Sequence, residues 1–84
     1  MSKKVNNEKR NAQKMAKLVK ANIAQLIKQS RKQKGYSQTQ LADLTGLDRK
    51  TINRIENEHF SPNVENLVKI FHVLGIKPQR VFTV

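Results

Sequence analysis

The sequence predicts an all-α fold, and three observations carry the prediction. Apolar residues recur every three or four positions over several stretches, the mark of a helix that buries one face. Glycines stand at 35, 46 and 75, each just past such a stretch, where a helix commonly stops. With 3 Gly and 2 Pro in 84 residues, the chain also lacks the tight-turn residues of an all-β protein.

The elements follow in order. Residues 1–7 have few apolar groups and no period, and read as a basic arm. From about Asn11, the series Ala12, Ala16, Val19, Ile23, Ile27 and Ser30 marks one helical face, widened by Met15, Leu18 and Leu26. This first helix runs to residue 34, with Arg31, Lys32 and Lys34 at the negative end of its dipole and Gly35 beyond it. Ser37 and Gln40 have the spacing of a capping box for a short second helix that carries Leu41 and Ala42 and stops at Gly46. Asp48 is placed to cap a third helix over 49–57, with Ile52 and Ile55 inward. Ser61 or Asn63 caps a fourth, bearing Leu67, Ile70, Phe71 and Leu74, which ends at Gly75. A fifth short helix opens at Pro78, and Val81, Phe82 and Val84 beyond it alternate as a short strand would.

Composition narrows the function. The chain carries 17 Lys+Arg against 6 Asp+Glu, a formal net charge of +11. Residues 1–34 hold eleven of those cations and Glu8 as their single acid, and three more cations, Arg49, Lys50 and Arg54, cluster farther on. Such a surplus on a small domain is the electrostatic footprint of a nucleic-acid partner. Without cysteine there is no disulfide framework and no thiolate zinc site. His59 and His72 stand thirteen apart without the spacing of metal ligands, so no metal and no cofactor is expected. No nucleophile–base pair, phosphate-binding glycine loop or carboxylate pair speaks for an enzyme. No apolar run spans a membrane and no secretory leader is visible, which leads to the expectation of a cytoplasmic, nucleoid-associated protein with no membrane partner.

The informative segment is 37–57, two short helices around a glycine turn. Ala42 is small where the helices must cross, Gly46 makes the turn, and residues 41, 47, 52 and 55 bury the inner side. By spacing, 49, 50, 53, 54 and 57 face outward, and they are Arg, Lys, Asn, Arg and Asn. Arg and Lys match guanine O6 and N7, and Asn matches adenine N6 and N7, so this face suits a DNA major groove.

The text from Ile23 to Phe82 resembles the phage repressor/Cro family, the XRE-like helix-turn-helix proteins. The resemblance rests on Ile27, Arg31-Lys32-Gln33-Lys34-Gly35-Tyr36-Ser37-Gln38, Leu41-Ala42, Gly46-Leu47, Ile52, Ile55-Glu56-Asn57, Ser61-Pro62, Leu67, Leu74-Gly75 and Phe82. It implies a five-helix, lambda-repressor-like domain that binds operator DNA as a symmetric dimer. It also implies base readout by Arg49, Lys50 and Arg54, with Thr51 and Asn53 beside them at sugar-phosphate or a thymine methyl. Gln38 and Asn57 match positions at the DNA backbone, with Lys34 and Ser37 adjacent, and Arg31 with Glu56 matches a structural ion pair. The residues themselves leave base against phosphate open for Lys50 and Asn53, and phosphate against a local capping contact open for Gln38. The chain departs from the family pattern at Ser30 and Thr45, where apolar residues are commoner, at Lys77, a poor cap, and in residues 1–21, which exceed what the domain needs.

These readings converge on a sequence-specific double-stranded-DNA-binding transcriptional regulator, a homodimer on a palindromic operator. Residues 1–10 are expected to be a flexible basic arm and 11–84 the helix-turn-helix domain with an extended first helix. Phe82 and Val84 are expected to support the dimer. RNA polymerase is a candidate partner of a bound regulator. Two rival readings are the antitoxin of a toxin–antitoxin pair, gripping its toxin through residues 1–20 or 80–84, and a nucleic-acid-coating protein that uses charge alone.

Overall fold

The structure is a computed structural model that describes residues 2–59 and 61–80, with side chains from residue 7 onward. Four helices follow one another: α1 (Ser2–Gln33), α2 (Gln38–Thr45), α3 (Arg49–Glu56) and α4 (Val64–Leu74). The expected fifth helix is a single 3-10 turn, Pro78–Arg80, closed by the Arg80 amide donating to the Lys77 carbonyl at 3.0 Å. Lys77 brings no capping oxygen, so an α-helix starting there would lack a side-chain cap. Phe60, Phe82 and Val84, and the strand-like alternation at the C-terminus, lie outside the described residues.

The first helix starts earlier than its apolar pattern. Residues 2–10 are helical where the sequence predicts an irregular arm. No Gly or Pro interrupts 2–33, and Lys, Arg, Glu, Gln and Ala are good helix formers. Once residues 23–33 are held by the core, each further turn toward the N-terminus extends an existing helix and avoids the cost of nucleation. At 1.5 Å per residue, 32 residues make a rod of about 48 Å. That rod accounts for the 50 Å long axis of a molecule otherwise 23 by 19 Å.

The core lies under the C-terminal half of α1. Ile23 and Ile27 meet Leu41 and Ala42 of α2, Ile52 and Ile55 of α3, and Ile70, Phe71 and Leu74 of α4, with Ile76 closing the end. Ile27, Leu41, Ile52, Ile55 and Ile70 are fully enclosed. The upper part of the predicted α1 stripe is not buried: Ala12 and Ala16 are exposed, as are Met15 and Leu18 at 58% each. The partner helices are only 8 to 11 residues long, too short to cover a rod of 32 residues.

The ends of the short helices set their directions. Ser37 and Gln40 form the capping box: the Gln40 amide donates to Ser37 Oγ at 3.0 Å, and the Ser37 amide donates to Gln40 Oε1 at 2.8 Å. Gly46 turns the chain at φ 74°, a conformation that costs a side-chain-bearing residue about 1 kcal/mol. Thr45, where an apolar residue is commoner, is buried with its hydroxyl donating back to Leu41 O at 2.8 Å and Ala42 O at 3.1 Å, so no polar atom is stranded. Asp48 has the extended backbone of an N-cap, but its side chain makes no capping bond, contrary to the sequence expectation. Asn63, not Ser61, caps α4, accepting from the Asn66 amide at 2.7 Å.

Candidate nucleic-acid interface

The site is built on α3. Its inner side is anchored by Ile52 and Ile55, which have essentially no exposed surface, and its outer side is free. Arg49, Lys50 and Arg54 are exposed, Thr51 and Asn53 are half-buried, and Asn57 is exposed just past the helix end. Among the described residues the ion pairs are Arg31–Glu56 and Glu65–Lys69, so Arg49, Lys50 and Arg54 carry charge that no carboxylate neutralises. Lys34 is likewise exposed, at the corner between α1 and α2. Ser37 is occupied by the capping box described above.

Behind this face runs a polar network that ties three helices together. Arg31 of α1 donates from Nε to Glu56 Oε2 at 2.7 Å and from Nη2 to Glu56 Oε1 at 3.0 Å, a two-pronged ion pair. Its Nη1 donates to the Tyr36 carbonyl at 2.9 Å, which holds the α1–α2 corner. The pair is largely removed from water, with the side chains 11% and 1% exposed. The hydrogen bond to Glu56 raises the Arg31 pKa above its ordinary value; burial opposes this, and the charge of Glu56 adds to it.

The network continues where the sequence offered no local signal. Gln38 at the start of α2 donates from Nε2 to Glu56 Oε1 at 3.2 Å, and Asn53 of α3 donates from Nδ2 to Gln38 Oε1, also at 3.2 Å. Gln38 thus makes inter-helix bonds in place of a local capping contact. Asn53, expected on the outer face, is half-buried with its amide turned toward α2. The residues stand 15 and 18 apart, and only the crossing of α2 over α3 brings them together. Asn57 Nδ2 donates to the Asn53 carbonyl at 2.8 Å, which closes the last turn of α3. Every buried side-chain nitrogen and oxygen among the described residues has a partner, so the face is rigidly supported.

Residues 38–56 thus form two short helices joined by a left-handed glycine turn, with an outward basic face on the second. The helix-turn-helix family matches residues 27–81, about two thirds of the chain. The chain belongs to this family, in its XRE type. Two curated relatives, the HTH-type transcriptional regulators SinR of Bacillus subtilis (strain 168) and of Bacillus licheniformis, are each 40% identical over 55 residues. Those residues are 64% of this chain and 50% of either relative, so the chain spans about half the length of the curated proteins it matches. No solved structure matches it. The matched segment leaves out residues 1–26, and with them the projecting part of α1. No described helix is long and apolar enough to cross a membrane.

Proposed function

We propose that this helix-turn-helix protein binds double-stranded DNA sequence-specifically as a symmetric dimer and regulates transcription. The observation that carries the reading is the outer face of α3, where Arg49, Lys50 and Arg54 stand exposed, with no ion pair among the described residues, on a helix locked from behind. A protruding helix of this kind enters the major groove, and an unneutralised Arg can donate two hydrogen bonds to a guanine. Asn53 offers its side-chain oxygen Oδ1 for a base or sugar contact while Nδ2 donates to Gln38 of α2. Lys34, Ser37, Gln38, Thr51 and Asn57 ring this face and supply backbone contacts, which fix register without reading sequence. The name of the two curated relatives, transcriptional regulator, supports the same reading.

We assign the contact with a second copy to α4. Val64 and Val68 of α4 are 76% and 58% exposed, one turn apart, beside a groove lined by Val68, Phe71, His72, Ile76 and Pro78. Two-fold pairing there would set two recognition helices about 34 Å apart, one DNA turn, and call for a palindromic site.

Selection from a random duplex pool at about 0.15 M salt, where surface attraction is screened, tests the proposal. The expected result is an enriched two-fold symmetric motif. Arg54→Ala should then lose about 1–3 kcal/mol on that motif and relax one base position. Retained DNA without any enriched motif, or an equal loss for Arg54→Ala on every sequence, overturns specific readout in favour of charge-driven coating.

A further inference from the structure

The projecting half of α1 is unexplained by DNA reading and carries features of its own. Residues 7–18 are all exposed, more than three turns of helix. Among them Met15 and Leu18, three apart and therefore neighbours on the helix surface, are each 58% exposed. Two grooves flank this pair, one with Glu58 on its other wall and one with Ser61 and Pro62. One, of about 420 Å³, is lined by Lys14, Lys17, Leu18, Ala21 and Glu58. The other, of about 280 Å³, lies among Met15, Ala16, Val19, Lys20, Ile23, Ser61 and Pro62. Lys14, Lys17 and Lys20 line the grooves beside the pair, Lys9 and Arg10 lie one to two turns nearer the N-terminus, and no ion pair among the described residues involves any of them.

We propose that residues 14–21 of α1 are a docking surface for an acidic amphipathic helix of a partner protein. Three occupants compete, and chemistry separates them. A DNA backbone would satisfy the cations but offers nothing to cover Met15 and Leu18. A second copy would cover the apolar pair but bring two strongly positive rods together, which is repulsive. A helix with an apolar stripe bordered by Glu and Asp satisfies both, burying its stripe on Met15 and Leu18 while its carboxylates meet the lysine heads. The lysine stems line the grooves, so they add apolar contact as well as charge. Ala21 is the smallest side chain in the larger groove and lets a second helix approach closely.

The probe is a fluorescein-labelled peptide of about 20 residues, long enough to form helix, with leucines at helical spacing flanked by glutamates. Its control has the same composition with the leucine spacing scrambled. Both are titrated with the full chain by fluorescence anisotropy at about 0.15 M salt. The expected result is micromolar binding of the patterned peptide, with the scrambled peptide at least tenfold weaker. Leu18→Ala and Met15→Ala should each weaken the patterned peptide by up to about tenfold without moving the thermal melt, because both side chains are solvent-exposed. Arg54→Ala should leave the peptide affinity unchanged, which separates this surface from the DNA face.

Equal binding of the two peptides, absence of binding up to about 1 mM, or indifference to Leu18→Ala overturns the proposal. A fall in duplex affinity for Leu18→Ala that matches its fall in peptide affinity assigns the surface to DNA instead. Sedimentation that shows a self-associated chain split by Leu18→Ala assigns it to a second copy. Either result also overturns the proposal.

Discussion

Replacing Glu56 by Gln should be the most damaging single change at the heart of the site, for a reason that can be worked from the geometry. The Glu56 carboxylate is 1% exposed and accepts three hydrogen bonds, two from Arg31 and one from Gln38. Glu56→Gln preserves the volume but removes the charge and points an amide donor at the guanidinium. Arg31, 11% exposed, is then a nearly buried cation with no counter-charge, left with two neutral acceptors, the new amide oxygen at position 56 and the Tyr36 carbonyl. Breaking one side of such a pair costs about 3–5 kcal/mol. At about 0.05–0.15 kcal/mol per residue the whole chain is worth about 4–13 kcal/mol, so the variant should lose a large share of its stability. The double variant Arg31→Met/Glu56→Leu removes both charges and should cost only about 1–2 kcal/mol, because no buried charge is left unpaired. Urea unfolding followed by circular dichroism gives all the values, with Arg31→Met and Glu56→Leu alone completing the cycle. A coupling of at least about 2 kcal/mol is expected. Single-variant losses below about 1 kcal/mol, or a double variant equal to the sum of its singles, would mean that the pair behaves like an exposed surface bridge and would refute the reasoning. The Arg31 contribution should be constant across neutral pH. A raised pKa gives stability that is lost only as pH climbs through the folded-state value, which for a guanidinium lies far into alkali.

Two further predictions concern helix ends. Glu58 sits at φ 61°, with its amide donating to Ile55 O at 3.2 Å while the His59 amide reaches Arg54 O at 2.8 Å, so it ends α3 in a left-handed cap without being glycine. Glu58→Gly should therefore raise stability by about 0.5–1 kcal/mol in urea titration, and a loss would show that its side chain makes a stabilising contact. Ser37→Ala should cost about 1 kcal/mol because it deletes a formed cap, whereas Asp48→Ala should cost only a few tenths, since Asp48 makes no capping bond. Equal losses at the two positions, read from the same unfolding midpoints, would contradict the cap assignments.

The sequence by itself determined what depends on neighbours along the chain. The four helices and most of their ends were legible, because period, caps and helix-stopping glycines act over three or four residues. The outward placement of Arg49, Lys50 and Arg54 was legible for the same reason: Ile52 and Ile55 face the core, and helical geometry sends their neighbours the other way. The Arg31–Glu56 pairing came from resemblance to a family, since nothing local connects residues 25 apart. Tertiary structure alone decided the rest. It determined how much of the α1 stripe is buried, because burial at Ile23 and Ile27 and exposure at Met15 and Leu18 depend on where three shorter helices run out. It also turned Gln38 and Asn53 toward each other and toward Glu56, because a hydrogen bond between helices exists only once their crossing has been set.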